Sequence, residues 1–467
     1  MLDTSTIPYM ALTDVAAGIK SGELSPVTLT ETMLARVAQV DTELHSYLSV
    51  HGETAMNQAR QAEGEIRSGR YRGPLHGVPI AIKDLFFTKG VPATFGSGAY
   101  KDFVSDYSAT VVDRLVAAGA VILGRLALHE GALAPHHPTF GEPPRHPYVA
   151  GYWPGGSSSG SGVATAAGLC FAALGSDTGG SIRFPSATNG LTGMKPTWGR
   201  VSRHGVFTLA DTLDSVGPMC RSAADAAAVF DVIAGHDVND PTSLPVAVPG
   251  YLAALEGGVW GARDLRIGLD WDYVSTEVDP EIVGSIRAAL DVFEELGARI
   301  VPIKLTDMTE VVKSQRIIME TECARYHEAH YKAHPEGFGK LAETIERGFS
   351  YRSVDVAAAY IIKDRFRGQL AEVFESVDVI PAPIMPWVGM KYDELEKLFE
   401  RMPLFGRFGG ICNMAGVPTI TFPVGVNQIG LPLAMQLIGP HLSEVNLFKA
   451  THAYQQATEW HLRRPAF

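Results

Sequence analysis

The chain has 467 residues, 46% of them hydrophobic and 19% charged, so it can bury a sizeable core and is not a disordered polymer. Its formal net charge is −12 at pH 7 and it has no run of lysine and arginine, which argues against a nucleic-acid or anionic-lipid partner. The four cysteines (Cys170, Cys220, Cys323, Cys412) are far apart and form no CxxC pair, which fits reduced, buried thiols and a cytoplasmic location.

The opening MLDTSTIPYM lacks the basic and apolar regions of a signal peptide. Ser25-Pro26 reads as an N-cap and a proline at the first helical position. Val27, Met33, Leu34, Val37 and Val40 then recur at helical spacing. In Ser108–Arg125, Val111, Val112, Leu115 and Val116 make a helix face, Gly119 ends it, and Ala120–Leu123 reads as a buried strand. The apolar run Val163–Gly175 is too short to cross a bilayer and reads as a buried helix. Residues 237–263 are rich in Asp, Pro and Gly and read as a connection. Leu265–Leu269 reads as a strand, and Pro280–Ile303 repeats the helix–glycine–strand order with Gly297 as the stop. Residues 305–375 are mainly helical, and strand-like runs return at Val377–Ile380 and Pro418–Val424. This alternation predicts an α/β fold: one large, mixed, mostly buried β-sheet with helices on both faces. The whole of 1–467 is expected to form one domain, with 237–375 as its mainly helical region, because the C-terminal strands complete the same sheet.

Two glycine-serine clusters carry the chemistry. The first, PGGSSSGSG, places Ser157 after Gly155-Gly156, and the second, GSDTGGSIR, places Ser181 after Gly179-Gly180. No P-loop string occurs. Gly156–Gly160 formally matches a GxSxG elbow, but Pro154 stands where a strand should feed it. In the second cluster the N–H groups of Thr178, Gly179, Gly180 and Ser181 are placed to converge on a developing oxyanion. A serine nucleophile needs a base, and no histidine pairs evidently with an aspartate. Lys83 is the alternative, at the end of the apolar run Gly77–Lys83. The pattern fits equally a buried amine of lowered pKa and a packed stem whose amine reaches solvent.

Taken together, these strings resemble the amidase signature family. The matching blocks are GVPIAIKDLF (77–86), ATVVDRLVAAGAVILGRLALHE (109–130), PGGSSSGSG (154–162) and GSDTGGSIRFPSATNGLTGMKPTWGRVSRHGV (175–206). NMAGVPTITFPVG (413–425) and GLPLAMQLIGP (430–440) complete the match, which covers most of 5–235 and roughly 375–467. The resemblance implies a hydrolase of carbonyl C–N bonds other than peptide bonds that uses no cofactor and no metal. It implies Ser181 as nucleophile, Ser157 as proton relay behind a cis peptide after Gly156, and Lys83 as base. Thr178, Gly179 and Gly180 would form the oxyanion hole. Asp177 and Arg183 would brace the nucleophile loop, and Ser158 would support the relay. One departure is visible: Ser159 stands where the family commonly has glycine. Ser159 and Ser161 are read as loop-capping residues.

The substrate expected is a small-molecule amide, carbamate or ester, with no nucleic acid, no membrane anchor and a homodimer as the candidate assembly. The resemblance sets Gly131, Ala132 and Leu133 beside the site, in a loop with His136-His137. Residues 384–411 read as core or subunit contact, or as an apolar lid or channel segment. Trp387, Phe405 and Phe408 are its candidate pocket residues, with a helix near 391–402 that also carries Leu395, Leu398, Phe399 and Met402. His327, His330 and His334 have a metal-like spacing but no completing ligands, and a surface helix is the simpler reading. The alternatives are the glutamine-hydrolysing component of a tRNA-dependent amidotransferase and a binding protein on an inactive scaffold. In Pro403–Gly416, Arg407 alone is charged, a poor match to an amino-acid substrate.

Overall fold

The computed structural model describes residues 6–395 and 402–467. Its strands are β1 (Tyr47–Val50), β2 (Pro79–Lys83), β3 (Val121–Leu126), β4 (Ala172–Asp177), β5 (Thr192–Lys195), β6 (Ser215–Cys220), β7 (Arg266–Leu269), β8 (Arg299–Pro302), β9 (Ile380–Ala382), β10 (Thr419–Val426) and β11 (Pro432–Ile438). Nine of these form one mixed sheet in the order β1-β3-β2-β4-β6-β5-β10-β11-β9. Only the β3-β2-β4 centre is parallel. Every residue of β2 to β6 is buried, and alternate side chains point to opposite faces, so both faces are covered.

The local signals act as expected at several places. The Ser25 hydroxyl accepts the Thr28 N–H at 3.2 Å and Pro26 opens a helix to Leu44, which buries Leu29, Met33, Val37, Val40 and Leu44. The helix Thr110–Ala117 is followed by Gly119 at φ 82° and then β3. Residues 237–252 form no helix or strand, whereas Ala253–Ala262, read as part of the same connection, is a 3-10 helix; Thr309–Ala333, Leu341–Ser350 and Ser353–Phe374 supply the helical region. Strands β10, β11 and β9 join the same sheet as the N-terminal strands. Among the described residues, no helix is long and apolar enough to cross a membrane.

Three expectations change. The run Val163–Gly175 is not one helix. The helix Ser159–Ala166 stops before Gly168 at φ 69°, and the chain continues as β4. Burial between β2 and β6 decides the matter over the run's helical composition. The strands at 266–269 and 299–302 pair with each other as a separate parallel sheet, tied to the rest by the bridge Ile267–Val379. The histidine helix is not simply a surface one. His327 is buried, its ring 5.3 Å from that of Phe95 and its Nδ1 2.6 Å from the Tyr100 hydroxyl. The His330 ring stacks on Tyr100 at 4.3 Å, and its Nε2 lies 2.7 Å from the Ala99 carbonyl. Among the described residues, no cluster of metal-ligating side chains forms.

A methyl group added at Gly217 in β6 would stand 2.0 Å from the Met194 carbonyl oxygen. Gly217→Ala is expected to lose about 1–3 kcal/mol of stability by overpacking. Urea unfolding that shows no loss would contradict this close β5–β6 approach.

Candidate active site

Lys83 ends β2, at the C-terminal edge of the parallel centre, where sheets of this kind place their ligands. Its side chain is fully buried. The Nζ lies 2.8 Å from Ser157 Oγ, 2.9 Å from Ser158 Oγ and 2.9 Å from Ser176 Oγ. The Ser158 hydroxyl donates onward to the Ser176 carbonyl at 3.3 Å. Burial pushes the Lys83 amine down to about 7, against the opposing pull of Asp177 and Asp214. Of the two sequence readings, the buried amine is the one observed.

The first serine cluster is a tight turn. Gly155 has φ 82° and the Gly156–Ser157 peptide is cis. A Cβ on Gly156 would fall 2.4 Å from His129 Cε1, so only glycine fits beneath that ring. The His129 N–H donates to the Ser157 carbonyl at 3.1 Å. Burial, with His136 and Lys83 nearby, pushes the His129 imidazole down to about 3, so it is neutral near pH 7. Ser158 precedes the helix Ser159–Ala166, and no strand enters the turn, so the GxSxG match is not a nucleophile elbow. The Ser161 hydroxyl donates to the Leu174 carbonyl at 3.0 Å, and Ser159 Oγ is buried without a partner among the described residues. Neither is a cap of the loop.

The second cluster follows β4 and is held by a buried ion pair. Arg183 donates through Nε to Asp177 Oδ2 and through Nη2 to Asp177 Oδ1, both at 2.9 Å. Asp177 also accepts the N–H groups of Gly180 at 2.8 Å and Ile182 at 3.2 Å. Arg183 reaches further, to Gln436 Oε1 at 3.0 Å, the Gly409 carbonyl at 2.9 Å and Asn413 Oδ1 at 2.9 Å. Burial alone would raise the Asp177 pKa, but Arg183, Lys195 and the amide of Asn413 hold it at about 2. The Thr178 hydroxyl donates to buried Asp214 at 2.5 Å. Burial pushes the Asp214 carboxyl up to about 7.

The Gly180 N–H, expected among the oxyanion donors, is instead given to Asp177. Gly180 serves the turn: it has φ 128°, and a Cβ would meet the Phe184 ring at 2.3 Å. Among the described residues, the N–H groups of Thr178, Gly179 and Ser181 have no protein acceptor. Gly179 and Ser181 are partly exposed in a loop otherwise buried. The Ser158 N–H donates to the Ser181 carbonyl at 3.3 Å, which ties the two clusters together.

A family model described as Amidase matches residues 28–448. The chain belongs to the amidase family. It is 40% identical to the putative amidase AmiD of Mycobacterium tuberculosis, over 99% of this chain and 97% of that one. It is also 40% identical to the A component of the glutamyl-tRNA(Gln) amidotransferase of Methylococcus capsulatus, over 97% and 98%. Among solved structures, native peptide amidase from Stenotrophomonas maltophilia superposes with a TM-score of 0.84 at 30% identity, covering 99% of each chain.

The remaining expected residues of this amidase fall into two groups. Gly131, Ala132 and Leu133 follow His129-Glu130 in a turn with φ 62° at Gly131 and 56° at Ala132. Glu130 anchors the turn by accepting the Ser97 hydroxyl at 2.9 Å and the N–H groups of Gly339 at 2.7 Å and Leu341 at 3.1 Å. His137 caps a turn, accepting the Thr139 N–H at 3.2 Å. Trp387 and Phe405 join Trp153, Phe184 and Met385 in a satellite apolar cluster. The Phe405 ring lies 4.5 Å from Phe184 and 5.0 Å from Trp387. Phe408 is completely buried in the main core, its ring 5.2 Å from Tyr273, so it is not a pocket wall. The expected helix at 391–402, with Leu398, Phe399 and the Met402 side chain, lies largely outside the described residues. The part described is a turn at Tyr392–Glu394. A cavity of about 20 Å³ beside the satellite cluster is lined by Thr188, Ile384, Met385, Trp387 and Leu433, but by none of Lys83, Ser157 and Ser181.

Sequence reasoning missed Ser176, Asn413, Gln436, Asp214 and Gln315. Gln436 had a usable signal, as the one strong hydrogen-bonding side chain in the apolar strand PLAMQLI. Ser176 lay inside a quoted motif, but only the pairing of β4 with β2 aims it at Lys83.

Arg183→Met would leave the Asp177 carboxylate buried and unpaired, a loss of about 3–5 kcal/mol at pH 7. In the wild type, Asp177 is held below its unfolded value of 3.8, so its stabilisation is complete above about pH 4 and fades as pH falls toward about 2. In the variant the unpaired carboxyl can be buried neutral at low pH. The stability gap should therefore narrow on acidification in urea titrations. A gap that is small at pH 7 or insensitive to pH would contradict the assignment.

Proposed function

We propose that this amidase hydrolyses the carbonyl C–N bond of a small-molecule amide through an acyl-enzyme on Ser181, with Ser157 as proton relay and Lys83 as base. The observation that carries the reading is the buried Lys83 amine, within 2.8–2.9 Å of three serine hydroxyls. Ser158 spends its own proton on the Ser176 carbonyl, so it accepts from Lys83. With Ser176 as a second acceptor, a neutral amine keeps its lone pair for the Ser157 O–H.

Ser157 can then accept the Ser181 proton as it passes its own to Lys83, and the Ser181 oxygen adds to the substrate carbonyl. The N–H groups of Thr178, Gly179 and Ser181 face the developing oxyanion. Collapse breaks the C–N bond while Lys83 returns the proton through Ser157 to the leaving amine. Water then repeats the cycle on the acyl-enzyme and releases the acid. The same route serves carbamates and esters. The four buried free thiols favour a reducing, cytoplasmic setting.

The amidotransferase reading has its own relatives, at 35–40% identity. Against it, the Arg407 guanidinium is engaged by the Thr276 carbonyl and faces Glu277 at 3.7 Å, which leaves it poorly placed to bind the carboxylate of glutamine.

A screen of anilides, alkyl amides, carbamates, esters and glutamine tests both readings. Turnover is expected on a non-amino-acid amide, and ammonia release from glutamine alone would favour the amidotransferase. Ser181→Ala is expected to lower kcat at least about 10³-fold, with Lys83→Ala and Ser157→Ala close behind, because groups acting as a unit fail together. A fluorophosphonate should label the wild type and not Ser181→Ala. Normal turnover in Ser181→Ala would sink the proposal.

A further inference from the structure

The N–H groups of Thr178, Gly179 and Ser181 lack protein acceptors among the described residues, yet each belongs to a peptide plane whose carbonyl is held. The Asp177 carbonyl accepts from Asn413 Nδ2 at 2.9 Å, the Thr178 carbonyl from Gln315 Nε2 at 3.4 Å, and the Gly180 carbonyl from the Phe184 N–H at 2.6 Å. In a trans peptide the C=O and N–H point in opposite directions, so holding one aims the other. Two of these holders come from the neighbourhood of the motif blocks. Gln315 does not: it sits on the helix Thr309–Ala333, far from any of them in sequence.

Gln315 is set in place by packing. Its nitrogen would be 3.2 Å from a Cβ at Gly179, and its Cδ 3.1 Å from a Cβ at Gly410. Two glycines thus leave the slot that the amide fills. One turn away on either side, the same helix meets Gly406 through Val312, and Met319 Sδ lies 3.9 Å from Gln315 Nε2. The side chain is buried and presents its donor to the nucleophile loop.

We propose that Gln315 is a positioning residue of the oxyanion site: by donating to the Thr178 carbonyl it fixes the Thr178–Gly179 peptide plane and aims the Gly179 N–H at the reacting carbonyl. This rests on Ser181 as the nucleophile. Loss of one oxyanion donor typically lowers the rate about 10²–10³-fold, and misaiming one through a long hydrogen bond should lower it less, about 10-fold or more.

The test uses Gln315→Met, which keeps the length, and Gln315→Leu, neither of which can donate or adds a charge, on an amide that the wild type turns over. The expected result is a fall in kcat of about 10-fold or more with KM within about 2-fold. Affinity for a trifluoromethyl ketone, whose adduct carries an oxyanion, should fall by the same factor as kcat/KM. Affinity for the product carboxylate and the melting temperature should stay near wild type. Unchanged kcat and ketone affinity in both variants would overturn the inference alone. Parallel losses in ketone and product binding would assign Gln315 a merely structural role and also overturn it. Equal turnover in Ser181→Ala would overturn the nucleophile, and this inference with it.

Discussion

The amine of Lys83 is buried at the end of a central strand, and much of the surrounding structure answers to that burial. An ammonium ion removed from water is strongly disfavoured unless its hydrogen bonds and charge are both met. Three serine hydroxyls meet the hydrogen bonds, while Asp177 and Asp214 supply only part of the charge. The balance leaves the amine near 7 rather than at its usual 10.5. The parallel pairing of β2 with β4 brings Ser176 to the amine, and the turn at Gly155–Ser158 brings the other two serines. The site therefore depends on sheet register: a one-residue slip of β2 would turn Lys83 to the other face.

The Arg183–Asp177 pair plays a different part. Arg183 uses its guanidinium to join the loop that follows β4 to Gln436 in β11, and to Gly409 and Asn413 at the start and within the short helix Gly410–Ala415. The C-terminal strands thus do more than widen the sheet. β11 delivers Gln436 as one of the acceptors that the buried arginine needs, and the arginine holds the carboxylate that takes the Gly180 and Ile182 N–H groups. Breaking such a pair leaves an uncompensated buried charge, which is strongly destabilising.

Much of this was legible from residue patterns. Glycine–serine spacing marks the two loops, and the apolar run ending in Lys83 marks a strand with a lysine at its tip. What the pattern left open was decided by tertiary placement. Whether Lys83 snorkels or is buried depends on β3 and β4 flanking it. The Val163–Gly175 run divides into helix and strand because Gly168 takes a left-handed conformation and β4 enters the sheet. His327 looked solvent-facing because helical periodicity cannot reveal that Phe95 and Tyr100 cover it. Gln315 and Asp214 had no local signal, since each acts through a contact with a distant loop. The donation of the Gly180 N–H to Asp177 likewise depends on loop geometry and not on residue type.

The most direct test of the account is the titration of Lys83 itself. Protein carrying ¹³C-labelled lysine, compared with Lys83→Met to assign the resonance, should show a Lys83 Cε signal that titrates near pH 7, below Lys195 and Lys363, which burial lowers to about 8, and far below exposed lysines. A Lys83 signal that titrates near 10.5, as an exposed lysine does, would mean the amine is protonated at working pH. It would then have no lone pair for Ser157, and the proposed relay would fail.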